Sequence, residues 1–220
     1  MKSLLKRDFI NYINIAITAA ILIPIGFILS MPPYVISLFL VLLSLVIGVF
    51  FSEHHSSVNR FMVSLPIDKS KLASSRYLSI FIFWIGTITY QFLLGYFFDY
   101  FVPYSVFVFG WKELITLLNL GLITLAIYVP LYYLFNSFVL PTIIIFICYF
   151  VVFLFAIDAL VTISGMKTEI IFNNLDQWVV PLVESSISFQ PFFLLTLLGF
   201  GLYFLSMKFS MKIIKRKSMI

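Results

Sequence analysis

Apolar positions along this chain fall in long unbroken runs, and charged positions sit in the gaps between them. Residues 9–52 hold no Asp, Glu, Lys or Arg over 44 positions, residues 77–98 none over 22, residues 114–157 none over 44 and residues 185–207 none over 23. One bilayer crossing takes about 20 consecutive apolar residues, so the four runs read as two, one, two and one crossing helices. The first long run breaks at Ser30-Met31-Pro32-Pro33-Tyr34, where paired prolines lack N–H donors and disfavour helix in the residue before them. The second breaks at Asn136-Ser137, with Pro141 close behind. That signal is weaker, because single prolines are tolerated in membrane helices. The pattern predicts six helices near 12–30, 34–52, 77–97, 113–134, 138–158 and 188–207, an all-α integral membrane fold.

Composition supports this reading. Hydrophobic residues make up 62% of the 220 and charged residues only 10%, against roughly 25% charged in a soluble domain. The 27 Phe and 12 Tyr suit lipid-facing and interfacial positions. The net charge of +5 does not indicate nucleic acid, because the basic residues flank apolar runs and no RNA-recognition, zinc or helix-turn-helix signature accompanies them. Topology and anionic headgroups account for them better. With the N-terminus inside, 12 of the 14 Lys and Arg fall on the cytoplasmic side and only Lys112 and Lys167 outside. Six crossings then return the C-terminus to the cytoplasm. The basic start followed by an apolar stretch resembles a secretory signal, but no persuasive small-x-small cleavage site precedes Pro32 and a second apolar helix follows at once.

Three segments are expected outside the hydrocarbon. Residues 1–14 place Leu5, Phe9, Tyr12 and Ile13 on one helical face, as in an interfacial helix on the inner leaflet. Residues 53–76 carry Glu53, Arg60, Asp68, Lys69, Lys71 and Arg76. Each such charge costs roughly 3 kcal/mol at the centre of a membrane helix, so the segment stays in water or at the interface. Within it, Val58, Phe61, Met62 and Leu65 recur at spacings of three and four, the mark of a short amphipathic helix ended by Pro66. Asp68 is placed to cap a second helix that starts at Lys69 and enters the third crossing. Residues 159–187, with Ile170, Ile171, Phe172, Leu175, Trp178, Val179, Val180 and Leu182, are too apolar for a free loop and suit a cap on the outer ends of the bundle.

Candidate chemistry is sparse. Cys148 lies in an apolar run, and one cysteine allows no intrachain disulfide. Adjacent histidines such as His54-His55 diverge by about 100° on a helix and chelate a single metal poorly, so no metal site is expected. Asp99 and Asp158 lie near the outer ends of their helices, where acids act as anchors at low cost. Gly165-Met166-Lys167-Thr168 lacks the spacing of a phosphate loop. No catalytic or nucleotide site is expected, and any ATP and Mg would belong to another chain.

The segment after the second helix carries a family resemblance. Glu53, Asn59-Arg60-Phe61, Ser64-Leu65-Pro66-Ile67-Asp68-Lys69-Ser70-Lys71-Leu72 and Ser75-Arg76-Tyr77-Leu78 resemble the pattern in small six-helix permeases of ABC-2 type exporters. Those permeases carry an acid after helix two, a Ser-Leu-Pro-Val-Ser-Arg/Lys stretch and a basic-Tyr-Leu entry into helix three; here Ile67 replaces Val and Asp68 replaces Ser. The resemblance implies a type V exporter-like fold over 1–220 as one permease domain, in a bacterial cell membrane. It also implies a cytoplasmic coupling helix that docks on ABC ATPase subunits, with Glu53, Asn59, Arg60, Phe61, Leu65, Pro66, Lys69 and Arg76 as the coupling residues. A second permease chain would complete the path as a homo- or heterodimer. Among such permeases the chain looks most like those that export amphipathic peptides, the phenol-soluble modulins. The uncharged turn at Asn136-Ser137 departs from a second coupling contact. Two other classes compete: an ion-coupled carrier, which needs acids deep in the bundle, and a membrane immunity or assembly factor without transport.

Overall fold

The computed structural model describes residues 12–29, 31–55, 69–101, 107–135, 137–164 and 176–217. Among these residues every regular element is helical. Helix α1 is Ile13–Ile28. Helix α2 covers 33–55 in three stretches, Pro33–Val35, a π-helical Ile36–Val41 and Leu42–His55. Helices α3 (Lys69–Phe101), α4 (Trp111–Leu134) and α5 (Val139–Ser164) follow. A 3₁₀ turn at Asp176–Trp178 leads into the short α6, Val179–Ser186, and α7 is Pro191–Lys217.

Five stretches are long and apolar enough to cross a bilayer: Pro33–Ser52, Ser70–Phe101, Trp111–Leu134, Val139–Ala159 and Pro191–Arg216. Helix α1 has 16 residues. At 1.5 Å per residue that is about 24 Å, short of a hydrocarbon core of about 30 Å. It nonetheless lies along α3 for its full length. At one end the Tyr12 hydroxyl meets Ser79 Oγ at 3.1 Å, and at the other Phe27 stacks on Phe98 with ring centroids 5.4 Å apart.

Local chemistry explains the helix boundaries. Pro32 adopts an extended conformation (φ −57°, ψ 123°) that α1 cannot continue through, and Pro33 opens α2. At the start of α4 the Glu113 carboxylate accepts the Gly110 N–H at 2.9 Å. Gln190 turns the chain from α6 into α7 with a left-handed φ of 41°, and its carbonyl accepts the N–H groups of Phe193 and Leu194 at 3.1 Å each. Pro191 then takes the first position of α7, where no N–H is needed.

Successive long helices run antiparallel, so the bundle has two chemically distinct ends. The basic end holds Lys71, Arg76, Lys208, Lys212, Lys215 and Arg216. The opposite, acidic end holds Asp99, Glu113, Asp158, Asp176 and Glu184, with Lys112 the described cation among them. Helix α7 packs most extensively along α4 and next along α3. Gly121 of α4 makes room for Trp84 of α3: a Cβ at position 121 would fall well inside contact distance of the indole. Trp84 is completely buried, and its Nε1 donates to Leu118 O at 3.3 Å.

A polar seam runs through the basic half. The Tyr77 hydroxyl meets Ser206 Oγ at 2.7 Å and Ser210 Oγ at 2.8 Å. Ser206 also donates to Ala126 O, and Tyr203 donates to Tyr77 O, each at 2.7 Å. These bonds tie α3, α4 and α7 together among buried groups. Helix α5 is attached lightly. Only 17% of its most apolar stretch is buried against the rest of the chain, against 50% for α4, so most of α5 faces lipid or another chain.

Candidate functional site

Two regions concentrate polar chemistry. At the basic end, α2 finishes at His55 and α3 begins at Lys69, so both flanks of the intervening segment sit beside each other in the chain's topology. Of the expected coupling residues, Glu53 belongs to the last turn of α2 and Lys69 opens α3. Asn59, Arg60, Phe61, Leu65 and Pro66 lie outside the described residues, as does the expected amphipathic helix around them. The interfacial helix expected over 1–14 lies almost wholly outside them too.

Arg76 is placed otherwise than in an exposed loop. It lies inside α3 and is only 4% exposed. Its guanidinium sits 5.8 Å from the Phe50 ring centroid and 5.9 Å from that of Tyr133, and its Nη1 donates to the Tyr133 hydroxyl at 3.3 Å. A guanidinium between aromatic faces is a stable arrangement for a charge taken out of water. Arg76 thereby clamps the start of α3 to the end of α2 and the end of α4. His54 rests against Phe138 at 5.6 Å between ring centroids.

The second region is an apolar cavity of about 280 Å³ in the acidic half, between α2, α4, α5 and the 3₁₀ turn with α6. Its walls include Leu38, Phe39, Tyr128, Tyr149 and Phe153, and Tyr34 and Asp176 also line it. The π-helical turns of α2 shape this wall. A π turn widens the helix and leaves a carbonyl poorly served by its own ladder; the Leu38 carbonyl accepts the Tyr149 hydroxyl at 2.9 Å. Gln91 of α3, 1% exposed, pins the same stretch from the other side, donating to Pro33 O at 2.8 Å and accepting from the Ser37 hydroxyl.

Asp176 is the acidic residue of the cavity lining. It is 2% exposed and accepts the Tyr34 backbone N–H at 3.2 Å. Burial pushes its carboxyl well above the usual carboxylate range, and the Tyr34 N–H bond opposes part of that shift. By contrast, Asp99 and Asp158 are exposed on the outside of the chain near the acidic end. Asp176 falls in the apolar segment 159–187 that the sequence suits to a cap on the outer ends of the bundle. Its partnership with Tyr34 joins positions too far apart for periodicity to reveal.

Antiparallel apolar helices with cations segregated to one end describe a polytopic membrane protein. A family model described as ABC-2 family transporter protein matches residues 3–215. The chain belongs to that family and is an integral membrane permease component of an ABC transporter, the membrane partner of ABC ATPase subunits. No curated protein and no solved structure matches it.

Proposed function

We propose that this chain forms half of the translocation path of a bacterial exporter that moves hydrophobic or amphipathic peptides across the plasma membrane. The observation that carries the reading is the family match over nearly the whole chain. Separate ATPase subunits hold ATP and Mg and supply the energy; this chain binds, couples and opens. Six helices cross, α1 among them, and both termini are cytoplasmic. The course of α1 beside α3 and the segregation of cations to one end support this topology.

The coupling contact is the segment between α2 and α3, with Glu53, Asn59, Arg60, Phe61, Leu65, Pro66 and Lys69 on or beside the ATPase-facing surface. Arg76 passes movement of that segment into α2 and α4 through Phe50 and Tyr133. A second permease chain covers apolar surface that α5 and α7 leave open, where only 17% and 22% of their most apolar stretches are buried. Closure of the ATPases on ATP then shifts the two halves between discrete packings.

Reconstitution tests the reading. Vesicles holding the chain and its cognate ATPase should release a fluorescent amphipathic peptide only when ATP is supplied, and the purified chain alone should hydrolyse none. Transport driven by an ion gradient without the ATPase would refute it. Orientation has its own check. On a Cys148→Ser background, a Ser70→Cys probe should react with an impermeant thiol reagent only after the membrane is opened.

A further inference from the structure

The cavity in the acidic half has an unusual division of polarity. Most of the hydroxyls on its walls are committed to backbone: Tyr34 donates to Glu113 O at 3.0 Å, Tyr149 to Leu38 O at 2.9 Å and Thr124 to Leu120 O at 2.8 Å. Those groups therefore present their carbon surfaces. Asp176 stands apart. Among the described residues it has one hydrogen-bond partner, the Tyr34 N–H, and a carboxylate has room for several more. Lys112, a cation of the same end, pairs with Glu184 at 2.9 Å instead. Tyr34 of α2 and Glu113 of α4, which interact with Asp176 or with each other, carry no positive charge.

We infer that this cavity binds a hydrophobic ammonium, an apolar chain lying between α2, α4 and α5 with its cationic head on the Asp176 carboxylate. The dimensions suit an apolar chain: the volume is about 280 Å³, against about 150 Å³ for an apolar cavity that takes up benzene. The chemistry suits a cation. A buried carboxylate with no counter-charge among the described residues is costly, and a ligand ammonium offsets that cost while making charge-assisted hydrogen bonds. An anionic head would meet the carboxylate's repulsion, and a plain lipid acyl chain would leave the carboxyl unused. This inference deepens the permease reading by naming a cargo class, the apolar chain with an amine that amphipathic peptides carry. It rests on that reading only for its purpose, since the binding itself belongs to this chain alone.

The test uses the full chain in lipid nanodiscs, without ATPase, and three probes of equal chain length: decylamine, decanol and decyl sulfate. Binding is counted as the saturable signal above empty nanodiscs. Decylamine should bind roughly tenfold more tightly than decanol, the worth of about one charge-assisted hydrogen bond, and decyl sulfate more weakly than either. Asp176→Asn should reduce decylamine to the level of decanol while leaving decanol unchanged, which also shows that the variant is folded. Ala156→Phe, placing a ring in the cavity from α5, should remove saturable binding of both. Equal binding of all three probes would make the cavity a hydrocarbon slot for lipid and overturn the inference. So would an amine preference that survives Asp176→Asn, or no saturable binding at all. None of these outcomes bears on whether the chain partners with an ATPase.

Discussion

The backbone N–H of Tyr34 donates to the Asp176 carboxylate at 3.2 Å across 142 residues of chain, fastening the turn before α6 to the first turn of α2. Because burial raises the Asp176 pKa in the folded protein above the value of about 3.9 expected in an unfolded chain, its contribution to stability is fully present below about pH 4 and is lost as pH rises through the folded value. The melting temperature of the purified protein should therefore fall with rising pH by more in the wild type than in Asp176→Asn. Thermal unfolding followed by circular dichroism between pH 5 and pH 9 checks this. Identical pH slopes would show that the Asp176 carboxyl is not perturbed.

Gly121 and Trp84 form a close packing pair. The indole occupies the space a Cβ at 121 would need, and Trp84 is fully buried with its Nε1 bonded to Leu118 O. A rigid ring cannot yield as a flexible chain end would. Gly121→Ala should destabilise by about 1–3 kcal/mol through overpacking, and Gly121→Leu by more. Gly86→Ala serves as the control, since a Cβ there meets nothing within 4 Å. Equal melting temperatures for Gly121→Ala and Gly86→Ala would contradict the packing described.

The seam around Tyr77 predicts coupling between helices. Tyr77→Phe removes the hydroxyl that Ser206 and Ser210 share. Interhelical hydrogen bonds in membrane proteins average about 0.6 kcal/mol, so a loss of about 1 kcal/mol is expected for the pair. Because the three groups share one network, Ser210→Ala in the Tyr77→Phe background should cost less than Ser210→Ala in the wild type. Additive losses in a double-mutant cycle would show that the two side chains act independently.

Much of the fold could be read from the spacing of charges. Residues 77–98 and 114–157 announced membrane helices because lipid tolerates few charges, and Pro32-Pro33 announced the break between α1 and α2 because proline cannot continue a helix. The same logic misjudged helix ends. Helix α7 was expected to stop near residue 207 and continues to Lys217, because Lys208, Lys212, Lys215 and Arg216 end a membrane crossing without ending helical hydrogen bonding. Arg76 was grouped with a solvated segment on its charge alone, whereas Phe50 and Tyr133 enclose it. The cavity was hidden altogether. Tyr34, Tyr149 and Asp176 converge only through tertiary packing, and the bonds of Gln91 to Pro33 and Ser37 that shape α2 join positions no sequence spacing connects.

The central claim is that the segment between α2 and α3 grips an ATPase. Phe61 and Leu65 lie four apart, so on a helix they share a face, and an apolar face outside the membrane calls for a partner. Truncating a central anchor of an interface commonly costs 2 kcal/mol or more, about a 30-fold loss of binding. The measurement is co-purification of the cognate ATPase with wild-type, Phe61→Ala and Leu65→Ala chains expressed at equal levels in the same membrane. The wild type should retain the ATPase and both variants should lose it, with insertion unaffected. If both variants hold the ATPase as well as the wild type does and still export, the segment only rests on the lipid surface and the coupling account is wrong.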